Sequence, residues 1–370
     1  MATPLFPSER LDRARRAAAA LGLEALLISP GADLRYLTGY DAQPLERLTC
    51  LVLPVDAEPC LLVPALEKPA ALASPAGQLG IEIIGWAEGD DPYALAAARL
   101  PRTVTRVGLD NRMWFEKALA LRGALPDAEQ SLAGAALYGL RMRKTNEEAA
   151  ALRRAGEAID RVHSRVGEWL RAGRTEREVG RDIADAIIAE GHVRVDFVIV
   201  GSGPNSASPH HELSDRVIHP GDPVVVDIGG TTDQGYCSDS TRVYVIGQPP
   251  EEFLNLYEVL LQAQTAQTAA VRPGITAAEL DAVGRNLITE AGYGDYFIHR
   301  TGHGIGLESH EEPYITADSD LPLEPGMAFS IEPGIYLPDR YGARIEDIVV
   351  CTEDGGERLN RTNRDLVILP

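Results

Sequence analysis

The chain of 370 residues has only four cysteines, Cys50, Cys60, Cys237 and Cys351, and no CxxC pair. Their scatter excludes a disulfide framework and a cysteine-ligated zinc motif, and it fits reduced thiols in a cytoplasmic protein. No run of about 18 apolar residues occurs, so no membrane span is expected. The N-terminal "MATPLFPSERLDRARRAAAALGLEALLIS" carries charges where a signal peptide needs an apolar centre. Basic runs are also lacking. Lys+Arg number 35 against 55 Asp+Glu, a net charge of −20. Nucleic acid is therefore not an expected partner. Such acidity aids solubility, and some of the acids are expected to be neutralised by bound cations.

What is present is an ordinary globular composition, 45% apolar, over a length that suggests two domains. Residues 1–135 read as a small α/β domain. A charged helix over about 8–21 leads to strands in "EALLIS", "RLTCLVLP" and "PCLLVP". Helices are expected at 65–79 and 92–100, with a strand in "TRVGLD". No His, Cys or acid cluster at ligand spacing appears there. A boundary falls near 125–145, and a second domain spans 142–370. It opens on a Thr145/Glu148 capping box and a long helix whose face carries Leu152, Ile159, Val162, Val166 and Trp169.

The second domain repeats itself. "RAGRTEREVGRDIADAIIAEG" (171–191) aligns with "RPGITAAELDAVGRNLITEAG" (272–292). Gly173/Gly274, Thr175/Thr276, Glu178/Glu279 and Gly191/Gly292 all pair at one offset. Each copy is a turn, a capping box, an amphipathic helix and a terminating glycine. The likeness continues from "HPGDPVVVDIGG" to "LEPGMAFSIEPG", pairing Asp227 with Glu332. Each copy adds one more acid, Asp239 and Glu346, and one histidine loop, "PHH" and "SHEE". The expectation is an α+β domain of pseudo-two-fold symmetry whose halves share a cleft.

Asp227, Asp239, Glu332 and Glu346 all have apolar flanks. Taken singly, each reads as a buried ion pair, with Arg242 or Arg344 as partner. Together in one cleft, four negative charges exceed what two arginines balance, whereas two divalent cations suffice. His303, in "RTGHGIGLESHEEP", offers a nitrogen ligand. Gly302, Gly304 and Gly306 let backbone approach closely and permit unusual dihedrals.

"VVVDIGG", "SDSTR", "TGHGIGLESHE", "SIEPGIY" and "RIED" resemble motifs of the pita-bread metallopeptidases, the Xaa-Pro dipeptidases (prolidases), aminopeptidase P and their kin. "YLTGY" is similar to a motif of that family's N-terminal domain, so the likeness covers nearly the whole chain. It implies a pita-bread domain behind a creatinase-like N-terminal domain. The implied metal ligands are Asp227, Asp239, His303, Glu332 and Glu346, with Asp239 and Glu346 bridging a metal pair. Manganese is the metal implied, with cobalt or zinc admissible for such donors. Glu332 is implied as general base and acid, and His310 and His210 as donors to the oxyanion. Tyr336, Tyr314 and Arg344 are candidate substrate contacts, Arg344 also as support for Glu346. His211 reads as structural. The gap from Asp227 to Asp239 is one residue longer than in many members, with the extra residue expected in the hairpin turn of "GGTTDQGY".

The resemblance implies cleavage of small proline-containing peptides by a homodimer. An X-Pro bond lacks the N–H and has a fixed φ, which suits a dedicated site. Many dipeptidases of the family carry an arginine shortly after the "HE" histidine, where this chain has Tyr314. The chain leans to dipeptidase, with aminopeptidase P as the alternative. A metal-free creatinase-like or histone-binding relative is disfavoured by the intact donor set. Methionine aminopeptidase is disfavoured by the N-terminal domain.

Overall fold

The structure, a computed structural model, describes residues 4–370. Two compact units divide between Arg141 and Met142. The first is a six-stranded mixed sheet ordered Glu82–Trp86, Cys60–Pro64, Cys50–Pro54, Ala25–Ile28, Arg106–Leu109, Glu129–Leu132. Its three strands from 25 to 64 are buried along their whole length. Such continuous apolar runs mean that both sheet faces are covered. The edge strand Glu129–Leu132 and the helix Gly134–Met142 occupy the stretch expected to be a boundary. That strand has no buried residue, so it gives the sequence no apolar signal.

The second unit carries the chemistry. All three capping boxes form, on Thr145, Thr175 and Thr276. The first helix ends earlier than its apolar face suggests. It covers Asn146–His163, and a separate turn covers Val166–Trp169. Ser164 Oγ donates to the Arg161 carbonyl at 2.7 Å, and Arg165 stacks on Trp169, so local bonds replace the helical ladder. Leu152, Ile159, Val162 and Val166 are buried as expected, while Trp169 is half-buried.

The repeat is physical. Helices Glu176–Ala189 and Ala277–Glu290 have equal length. The Gly173 N–H donates to Ile218 O and the Gly274 N–H to Leu323 O, both at 2.9 Å. Two more backbone bonds recur the same way, from Glu176 and Arg177 to residues 216 and 214, and from Ala277 and Ala278 to residues 321 and 319. Gly173 and Gly274 sit at φ +89° and +86°, a left-handed turn conformation that a side chain would disfavour.

The first half builds a four-stranded sheet ordered Val367–Leu369, Cys237–Ile246, Pro223–Thr232, His192–Ser202. Its side chains alternate with a period of two. Val224, Val226 and Ile228 pack on the helices of residues 146–189, and Val225, Val243 and Val245 face Phe253, Leu256 and Leu260. The second half builds a five-stranded sheet, Glu311–Ile315, Gly302–Gly304, Ala328–Ile331, Asp347–Thr352, Gly355–Arg358, and a hairpin of Gly334–Leu337 with Tyr341–Arg344. Thr241 and Glu346 form an antiparallel bridge that joins the halves.

Candidate metal centre

Asp227 and Asp239 lie on one face of a hairpin. Asp227 pairs with Thr241 and Gly229 with Asp239, so the two acids are diagonal neighbours. The pairing is continuous from Pro223↔Val245 to Thr231↔Cys237, so the longer gap is taken up in the turn around 232–236. Gly229 faces the same side. A Cβ there would stand 2.5 Å from the Phe197 ring.

The second half delivers its donors from short strands and their ends. Phe329 and Ile331 point into the core, which turns Ser330 and Glu332 the other way. The His303 N–H donates to Ser330 Oγ at 2.9 Å, and that hydroxyl donates to Glu332 Oε1 at 2.9 Å. His303 Nε2 lies 3.2 Å from Glu332 Oε1 and 3.7 Å from Asp239 Oδ2. Glu346 accepts from Thr241 Oγ1 at 2.7 Å. The glycines around His303 serve close approach alone. A Cβ on Gly302 would meet Ser330 O at 1.9 Å, one on Gly304 would meet Glu312 O at 2.2 Å, and none of Gly302, Gly304 and Gly306 has a positive φ. The expected unusual dihedrals are absent at all three, although only Gly302–Gly304 is extended strand and Gly306 lies in the bend that follows.

Five donors from the two halves thus converge. Donor atoms of Asp227, Asp239 and Glu346 lie within 4.8 Å of one another, as do those of His303, Glu332 and Glu346, so Glu346 is common to two groups. Asp239, His303 and His310 make a third such group. The reading of separate ion pairs fails for three of the four acids. Arg344 bonds Asp227. Arg242 is committed elsewhere, to Asp347 at 2.6 Å and to the carbonyls of Thr241, Glu346, Thr362 and Asn363.

The electrostatics are those of an acid-rich pocket. Burial, then the charges of Glu346, Asp227 and Glu332, push the Asp239 carboxyl well above the usual carboxylate range. Burial, Glu332 and Asp227 raise Glu346 likewise, against Arg344 and the Thr241 hydroxyl. Burial also opposes ionisation of Glu332, but the hydrogen bond and charge of His303, with His299 and Arg344, outweigh it and hold that carboxyl at about 2. Asp227 Oδ1 and Glu346 Oε1 are buried without a hydrogen-bond partner among the described residues. Such orphaned oxygens are costly unless a cation takes them up. The donor set therefore fits divalent metal ions.

Residues 150–353 match metallopeptidase family M24, and residues 10–143 match the creatinase/prolidase N-terminal domain. The chain belongs to metallopeptidase family M24. It is 52% identical to a protein named probable dipeptidase PepE of Mycobacterium tuberculosis, over 98% of this chain and 96% of that one. An Xaa-Pro dipeptidase of Lactobacillus delbrueckii subsp. lactis is 39% identical over 94% and 96%. The crystal structure of dipeptidase PepE from Mycobacterium ulcerans superposes with a TM-score of 0.92 at 51% identity, over 98% and 97%.

In this M24 chain the donors lie in a cavity of about 820 Å³, also lined by Phe197, Ile199, Pro209, His210, Arg300 and His310. The rings of His310 and His303 meet edge-on at 3.9 Å. Burial, then the positive charge of His303 and Arg300, pushes His310 down to about 4, so it is neutral near pH 7. His211 bonds Glu176 at 2.7 Å, the structural role expected of it. Tyr336 is buried, and its hydroxyl accepts from Arg344 Nη1 at 2.8 Å and meets His299 Nε2 at 2.9 Å. It is not among the residues lining the cavity, nor is Tyr314, which lies under Arg300. The two tyrosines, expected as substrate contacts, support the arginines: Tyr336 through the hydrogen bond to Arg344 and Tyr314 through the stack with Arg300. Arg344 holds Asp227 and Thr241 Oγ1, and reaches Glu346 only through that hydroxyl. Sequence reasoning missed Arg300, His299, Thr241 and Ser330. A hydroxyl two residues before Glu332 and another two after Asp239 were the available signals, since alternate strand residues share a face.

Proposed function

We propose that the chain is a dinuclear Xaa-Pro dipeptidase, hydrolysing the bond before proline in dipeptides, with manganese as the native metal and cobalt or zinc as substitutes. The observation that carries the two-metal reading is the pair of three-donor groups sharing Glu346. Asp227 is assigned to one metal, His303 and Glu332 to the other, and Asp239 and Glu346 to both. When bound, such a pair activates water and polarises the scissile carbonyl. Glu332, ionised and hydrogen-bonded to Ser330, moves the proton from the water to the leaving nitrogen. His310 and His210 face the cavity and donate to the carbonyl oxygen as charge develops there. Arg344 and Thr241 orient Asp227 and Glu346. The name Xaa-Pro dipeptidase on a 39% identical relative supports the proline preference.

A homodimer in the cytoplasm belongs to the same reading. The location, though not the dimer, is supported by four buried free thiols. The test is a cleavage panel with added Mn²⁺ alongside metal analysis. Proline release from Ala-Pro, with two metals per chain, is expected. Cleavage of Ala-Pro-Ala but not Ala-Pro would make the protein an aminopeptidase P instead.

A further inference from the structure

Two arginines line the cavity, Arg300 and Arg344. Arg344 commits four of its five N–H donors, to Asp227, Tyr336, Thr241 and the Pro209 carbonyl. Arg300 is different. Its guanidinium lies 4.4 Å from the centre of the Tyr314 ring and makes no side-chain hydrogen bond or ion pair among the described residues. Stacking takes the face of the guanidinium and leaves its N–H edge open.

The backbone on both sides of Arg300 is pinned. The His299 carbonyl accepts from Arg285 Nη2 at 2.9 Å. The Thr301 N–H donates to Ile315 O at 3.0 Å, and its hydroxyl donates to Asp281 at 2.8 Å. Tyr314 is placed by strand register, opposite His303. A cation is thus held on a rigid base at the wall of a cavity whose other charged lining groups are Arg344 and the acids that gather metals.

A free dipeptide brings one anionic group that takes no part in bond cleavage, its C-terminal carboxylate. The acids of the metal centre repel it, and Arg344, with four of its five N–H donors committed, has no open two-pronged edge for it. An open guanidinium edge matches a carboxylate in shape and charge, with two parallel N–H···O bonds. A stack that already holds the fork lowers the cost of ordering it on binding. Ile298 and Phe197, which also line the cavity, offer apolar surface to a pyrrolidine ring.

We propose that Arg300, stacked on Tyr314, binds the C-terminal carboxylate of the substrate and thereby sets a preference for dipeptides. The assignment rests on the dipeptidase reading above. Arg300 acts in binding and takes no part in the proton transfers.

The experiment measures kcat and KM for Ala-Pro and for its C-terminal amide, with metal content, in wild type, Arg300→Met, Arg300→Lys and Tyr314→Leu. A charge-assisted hydrogen bond contributes about 1.5–3 kcal/mol, so Arg300→Met should raise KM for Ala-Pro about 10- to 100-fold. Its kcat, its metal content and its rate on the amide should stay within about three-fold of wild type, so the acid-over-amide preference collapses. Arg300→Lys should recover part of that preference, keeping the charge without the fork. Tyr314→Leu, with the arginine intact but unsupported, should fall between. An unchanged acid-over-amide ratio in metal-replete Arg300→Met overturns the assignment of Arg300 alone. Wild-type protein that cleaves Ala-Pro-Ala and ignores Ala-Pro overturns the dipeptidase reading and this proposal together.

Discussion

The two halves of the second unit share a scaffold but not a way of presenting ligands. In the first, Asp227 and Asp239 stand mid-strand on two ten-residue strands in unbroken register. In the second, Glu332 follows a four-residue strand and Glu346 falls between two strands. The first half supplies short acids from a stiff hairpin. The second supplies longer acids from strand ends, where chain direction changes, and a histidine from the middle of a three-residue strand. A duplicated framework thus yields an asymmetric donor set, in which one half anchors and the other reaches.

The sharpest way to break this comparison is to remove an anchor. Asp239→Ala should abolish hydrolysis, by at least about a thousand-fold, and lower bound metal measured by elemental analysis, while far-ultraviolet circular dichroism stays native. In the proposed two-metal site, loss of this ligand would remove the means of activating water. Retained activity would mean that the hairpin does not hold the metals. A second variant separates donors from helpers. His310→Ala should lower kcat by about 10- to 100-fold, the range for one proton or oxyanion donor, with metal content unchanged. Loss of metal instead would place His310 among the ligands, as its approach to His303 and Asp239 allows. The smallest effect tests the likeness itself. Thr175→Ala and Thr276→Ala remove equivalent capping boxes, so each should cost about 1 kcal/mol in denaturant unfolding. A clear inequality would show that the halves carry different shares of the fold's stability.

What was legible in the sequence was local or periodic. Capping boxes, terminating glycines and acids at matched offsets depend on near neighbours, so Thr145, Thr175 and Thr276 could be read directly. The repeat then carried the acids to one cleft. Other features depend on tertiary partners. Arg300 and Tyr314 meet only through the register of Gly302–Gly304 with Glu311–Ile315, which no spacing reveals. The line from Asp227 through Arg344 and Tyr336 to His299 likewise starts with a contact across 117 positions. The strand Glu129–Leu132 was invisible because its exposed edge position asks for no apolar alternation.

Arg242 extends the reach of the metal centre in an unexpected direction. One guanidinium grips the carbonyl of Glu346 at 2.6 Å and those of Thr362 and Asn363 at 2.9 Å. The tail of the chain is therefore mechanically linked to Glu346, the donor common to two of the three-donor groups. Remodelling of residues 362–363, which offer no ligand themselves, would reach the metals through the tilt of a single peptide plane.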